Sequence, residues 1–104
     1  MQIEDFKEGD SIKSFFICVD KINKKPRYGD EFIDLILKNK SGTIKAKIWE
    51  YSDFFSKKFE AGDIVAVKGD VITFRSIKEI KINFINKAEY NIYKSYGLVE
   101  KDFI

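Results

Sequence analysis

The stretch 43–49, TIKAKIW, sets Lys45, Lys47 and Trp49 at every second position. Written as a strand, it shows two ammonium groups and an indole on one side, with Ile44, Ala46 and Ile48 on the other. Residues 21–28, KINKKPRY, gather Lys24, Lys25, Arg27 and Tyr28 with no acid among them. Phe32 follows closely, and Phe74 stands beside Arg75 further along. Rings interleaved with cations suit one chemistry in particular. Bases of an unpaired nucleic-acid strand stack on flat apolar rings while cations follow the phosphates. Each residue also has a plainer use. Lysines on a solvated strand solubilise it and discourage edge pairing. Trp49 suits packing beneath a following helix as well as stacking, and Phe32 could cap a barrel mouth. Arg27 and Tyr28 point more firmly to binding, because an exposed loop needs no aromatic for packing. Asp34 counts against phosphate, and would pair with a lysine opposite or accept a hydrogen bond from a base.

Composition excludes much else. The 104 residues contain no histidine and one cysteine, so His-based catalysis, an intrachain disulfide and a Cys-rich zinc site are all ruled out. The reading therefore carries no catalytic residue, no metal and no cofactor. Cys18, inside FFICV, reads as a buried thiol. Net charge is only +2, too small to imply a polyanionic partner by itself. Its distribution says more. Residues 1–10 carry Glu4, Asp5, Glu8 and Asp10 against Lys7, whereas 21–28 and 38–47 carry no acid. Lysines number 17 and arginines two, which favours phosphate contact over base reading and predicts weak sequence selectivity. The first ten residues are polar and acidic, unlike a leader, and no apolar run approaches the roughly 18 residues that span a bilayer. The expectation is a cytoplasmic, soluble protein.

Five strands must position these side chains. Alternation predicts them at 11–22, 31–37, 43–49, 64–73 and 77–85, with a turn around Ser41-Gly42. The first is apolar on both faces in its middle, as in a strand that curves between two sheets. Residues 51–59, YSDFFSKKF, break the alternation and read as a short helix. Ser52 is its expected N-cap, Phe54, Phe55 and Phe59 its apolar face, and Gly62 its C-terminal glycine. Gly69 marks a bulge or sharp bend in the fourth strand. The order β-β-β-α-β-β predicts an all-β fold, the five-stranded OB-fold Greek-key barrel with one short helix between strands three and four. An SH3-like barrel is the alternative, and the helix position argues against it.

The stretch 32–50 carries Leu35, Leu37, Gly42, Ile44, Ala46, Ile48, Trp49 and Glu50. It is followed by Gly62-Asp63 before strand four and Val67-Lys68-Gly69 within it. Over about residues 7–87 this resembles the tRNA-anticodon type of OB-fold nucleic-acid-binding domain. It is similar in particular to the N-terminal OB domain of YhaM-type 3′–5′ exoribonucleases. In that family a separate HD domain cuts with metal held by His and Asp, residues a His-free chain cannot supply in full. The resemblance implies an OB domain over 1–87, and a helical segment or linker over 88–104 leading to a domain absent from this chain. It implies single-stranded RNA or DNA as partner, RNA by preference. The ligand would lie across strands two and three, rimmed by the loops between strands one and two and between four and five. The expected site is therefore Lys24, Lys25, Arg27, Tyr28, Phe32, Lys45, Lys47, Trp49, Phe74 and Arg75. Two other functions compete. An interaction or homo-oligomerisation module would use Phe32, Ile36 and Trp49 as an apolar patch. A histidine-free nuclease would need Asp34, Glu50 and Arg75, whose spacing forms no metal motif.

Overall fold

A computed structural model describes residues 2–104. β1 (Ser11–Lys24) is long enough to serve two neighbours. Its first half, Ser11 to Ile17, pairs antiparallel with β4 (Ile64–Phe74), and its second half pairs with β2 (Phe32–Asn39). The handover falls where the register shifts between Cys18 and Asp20. β2 pairs with β3 (Gly42–Ile48), and β5 (Ile77–Lys87) lies parallel to β3 and antiparallel to β4. The strands close in the order β1-β2-β3-β5-β4, a barrel without a free edge. The double apolar character of the first strand thus has its cause: that strand curves around the barrel.

Alternation decides what fills it. Ile33, Leu35, Leu37, Ile44, Ala46 and Ile48 face inward with Phe16, Val65, Val67, Val71, Ile80 and Ile85. Gly69 sits at the second register shift, between Lys68 and Gly69, as expected of a bend. A Cβ there would lie 2.6 Å from both the Ile80 side chain and the Lys81 carbonyl, so only glycine lets β4 and β5 approach so closely. The Asp70 carboxylate accepts hydrogen bonds from Asn83 and Ser11, joining β5 and β1 across β4. Those bonds hold its carboxyl below the ordinary range.

The helix α1 (Ser52–Ser56) lies between β3 and β4 as expected, but its details differ. Tyr51, in a left-handed conformation, occupies the N-cap position in place of Ser52, and no side chain caps it. The helix is too short to reach Phe59. Phe55 and Phe59 are buried, while Phe54 turns outward and is exposed. Gly62 does take a positive φ of 95°, yet in the separate turn before β4 rather than at the helix end. The helix end is satisfied by Lys21, whose Nζ donates to the carbonyls of Ser56 at 2.6 Å and Phe59 at 2.8 Å. One lysine of the acid-free 21–28 segment is therefore a structural strut.

After β5 the chain forms α2 (Tyr90–Ser95) and a 3-10 turn at Glu100–Phe103. Ala88, Tyr93 and Phe103 pack over Phe15, Ile17, Ile64 and Ala66 on the outside of the barrel. The Lys40 amide donates to the Asp102 carbonyl at 2.8 Å. Among the described residues no helix is long and apolar enough to cross a membrane.

Candidate nucleic-acid interface

The register of β2 on β3 pairs Ile33 with Ile48, Asp34 with Lys47 and Ile36 with Lys45. With Ile33 and Ile48 buried, the residues beside them must emerge on the outer face. Phe32 and Trp49 meet there. Their rings stack at 4.3 Å between centroids and 28° between planes. Trp49 remains 38% exposed, so it is a surface ring, while α1 buries its own Phe55. Phe32 is half-buried and stacks against Trp49.

The β4–β5 turn brings the next pieces. Because β5 runs parallel to β3, with Lys45 opposite Glu79 and Lys47 opposite Lys81, the tip of the hairpin lies toward the Thr43 end of β3, and the Lys47 side chain reaches back along the face to meet it. Lys47 Nζ lies 4.4 Å from the centroid of Phe74 and 5.8 Å from that of Phe32. The Arg75 guanidinium lies 5.2 Å from the Phe74 ring on its own turn. Trp49, Phe32, Lys47, Phe74 and Arg75 thus form one continuous row of rings and cations. Arg75 and Ser76 both have positive φ, 52° and 66°, as the centre of a two-residue hairpin turn of the I′ kind demands. Glycine or asparagine is the usual occupant, and an Arg-Ser pair holds the guanidinium out at a cost in backbone strain.

Glu79 is the residue that alternation in a single strand did not reveal. Its carboxylate lies 3.2 Å from Lys47 Nζ, with the two side chains only 4% and 14% exposed respectively. Lys47 therefore pairs with Glu79, while Asp34 is its register neighbour across β2. Lys45 is exposed and has no ion pair among the described residues.

The loop after β1 is attached less tightly. Lys24 is opposite Phe32 in the register. Lys25 pairs with Glu31 at 3.7 Å, an exposed contact of little energetic weight. With Asn23, Phe32 and Asp53 they line a small cleft of about 110 Å³ next to the ring row. Tyr28 projects at 84% exposure with the Arg27 guanidinium 5.8 Å from its ring. No ring–ring or cation–ring contact joins Arg27 or Tyr28 to Phe32 or Trp49 among the described residues. A second concavity of about 550 Å³, lined by Phe15, Phe84, Tyr96, Lys13 and Lys68, lies beside the C-terminal segment, away from this face.

A closed five-stranded barrel, with its helix between β3 and β4 and rings and cations on the β2–β3 face, defines a class of small nucleic-acid-binding domains. The chain belongs to the family described as OB-fold nucleic acid binding domain, of the tRNA-anticodon type, which matches residues 17–88. It is similar to the 3′–5′ exoribonuclease YhaM of Listeria welshimeri, 30% identical over 84 residues. That match takes in 81% of this chain and 27% of the relative, so the chain spans about a quarter of the curated protein's length. The second OB-fold domain of replication protein A from Methanococcus maripaludis has the same fold, with a TM-score of 0.67 at 23% identity, covering 86% of this chain and 94% of that one. The small single-stranded DNA-binding protein of Streptomyces coelicolor gives a TM-score of 0.55 at 15% identity, covering 79% and 94%. These two likenesses establish the barrel alone.

Proposed function

We propose that this domain holds single-stranded nucleic acid, RNA in its natural setting, across the outer face of β2 and β3 without cutting it. The observation that carries the reading is the row Trp49, Phe32, Lys47, Phe74 and Arg75. It offers two ring platforms either side of a lysine, and in this reading Lys45, Lys24, Lys25 and Arg27 follow the strand's backbone. Stacking is worth about 1 to 3 kcal/mol per base, so two platforms support useful but modest affinity. Similarity to an exoribonuclease supports RNA, and the relative's much greater length leaves room for a cleaving HD domain in the same protein. In that setting the domain is the substrate-holding part of a cytoplasmic 3′–5′ exoribonuclease.

The test is a titration of labelled oligo-U and oligo-dT of about 12 nucleotides, within the range of an OB site. Binding should weaken with salt and quench the single tryptophan. Phe74→Ala should weaken it by about 5- to 150-fold, the equivalent of one lost stacked base. An absence of binding at low salt to either oligomer contradicts the reading. A second reading, self-association through an apolar surface, rests on the groove between Phe84, at 44% exposure, and Tyr96, at 64%. A concentration-dependent dimer in sedimentation that Tyr96→Ala abolishes would favour it.

A further inference from the structure

Lys47 has the position of a phosphate ligand but not the electrostatics of one. Its ammonium lies 3.2 Å from a carboxylate that is almost wholly buried, and its own side chain is 14% exposed. Rings flank it, Phe74 at 4.4 Å and Phe32 at 5.8 Å. Asp34, half-buried, is its neighbour across β2. The saddle between the two ring platforms therefore holds one cation against one close anion, with a second acid alongside. A phosphate placed there would gain Lys47 and meet Glu79 behind it, in surroundings where water screens poorly. A neutral base meets no such penalty and finds rings on either side. The free cations lie elsewhere on the face. Lys45 is exposed and unpaired among the described residues, and Arg75 stands out on the hairpin tip.

We infer that Glu79 is a specificity-determining residue: by neutralising Lys47 it makes the centre of the face accept bases and turn phosphates to the rim. This rests on the β2–β3 face being the nucleic-acid site. The ligand class it selects is an unpaired strand with accessible bases, against duplexes and against polyanions that have no bases.

Salt dependence reads this directly. On single strands each phosphate contact contributes about 0.7 to the slope of log K against log salt. The probes are oligo-dT and an abasic strand of the same length, each titrated over several salt concentrations. Wild type should bind oligo-dT at least tenfold more tightly than the abasic strand. Lys45→Met should lower the slope by about 0.7. Glu79→Gln frees the Lys47 charge, so it should steepen the slope by about 0.7 and tighten abasic binding, narrowing the tenfold ratio. Should Glu79→Gln fail to fold, the double variant Lys47→Met/Glu79→Met removes the buried pair together, a change proteins commonly tolerate. Its slope should equal that of wild type whatever its affinity. A double-variant slope lower by about 0.7 would place Lys47 on a phosphate and overturn the inference. So would a folded Glu79→Gln with slope and ratio unchanged. In both cases wild type still binds, and the proposed function stands. A wild type that binds neither strand removes both.

Discussion

At the scale of single residues, chemistry here follows from partners more than from type. Lys45 and Lys47 are two positions apart on one strand and look equivalent in the sequence. One is exposed, and the other is largely covered, held against Glu79 between two rings. Cys18 shows the same dependence. Its thiol donates to the Asp20 carbonyl at 3.3 Å, and burial pushes its pKa up to about 11. Thiolate is the reactive form, so at pH 8 the native protein should leave a thiol reagent such as an aromatic disulfide almost unconsumed. One equivalent should react promptly in denaturant. Fast labelling of the native protein would contradict a closed barrel at this point. Period-2 alternation placed Phe32, Lys45, Lys47 and Trp49 correctly on the outer face. Glu79 escaped it because its significance depends on the parallel pairing of β5 with β3, a contact between segments more than thirty residues apart.

At the scale of elements, the strands were legible and the helix less so. Alternating apolar residues repeated over five runs leave little freedom, because a one-residue slip would expose a whole face. The helix is five residues long, and its ends are set by tertiary contacts. Lys21 reaches over from β1 to cap it, and the Phe59 side chain is drawn into the core after the helix has stopped. Residues 51–59 fit a longer helix on pattern alone, which is why Phe54 looked like a core residue. The β4–β5 turn holds a testable strain. Ser76 sits at a φ of 66°, where a side chain costs about 1 kcal/mol. Ser76→Gly should therefore raise stability by about 1 kcal/mol, or a thermal midpoint by about 4 to 8 °C, with binding retained. A fall in midpoint would mean that the Ser76 side chain makes a compensating interaction. Arg75→Gly should relieve similar strain but lose the guanidinium over Phe74, separating stability from affinity.

At the scale of the whole molecule, the barrel was legible because the order of elements admits few closures. One long strand paired on both sides, a glycine where a Cβ would collide at 2.6 Å, and a helix between β3 and β4 all specify the same solution. The proposed binding face was legible as a surface, and the ring row within it was not. Its continuity needs the hairpin tip of β4–β5 beside β3, which no local pattern encodes. The C-terminal stretch reads as weakly helical in sequence, and in the fold its Tyr93 and Phe103 cover the outside of β1 and β4. The molecule therefore presents two candidate surfaces, the ring row and the groove beside Tyr96. An amide-resolved NMR titration with oligo-U distinguishes these two surfaces most directly. Binding at the ring row should give saturable shifts at Phe32, at Lys45 through Trp49 and at Phe74 through Ser76, with Phe15, Phe84 and Tyr96 unmoved. Shifts confined to Phe15, Phe84 and Tyr96, or none at saturating oligomer, would contradict it.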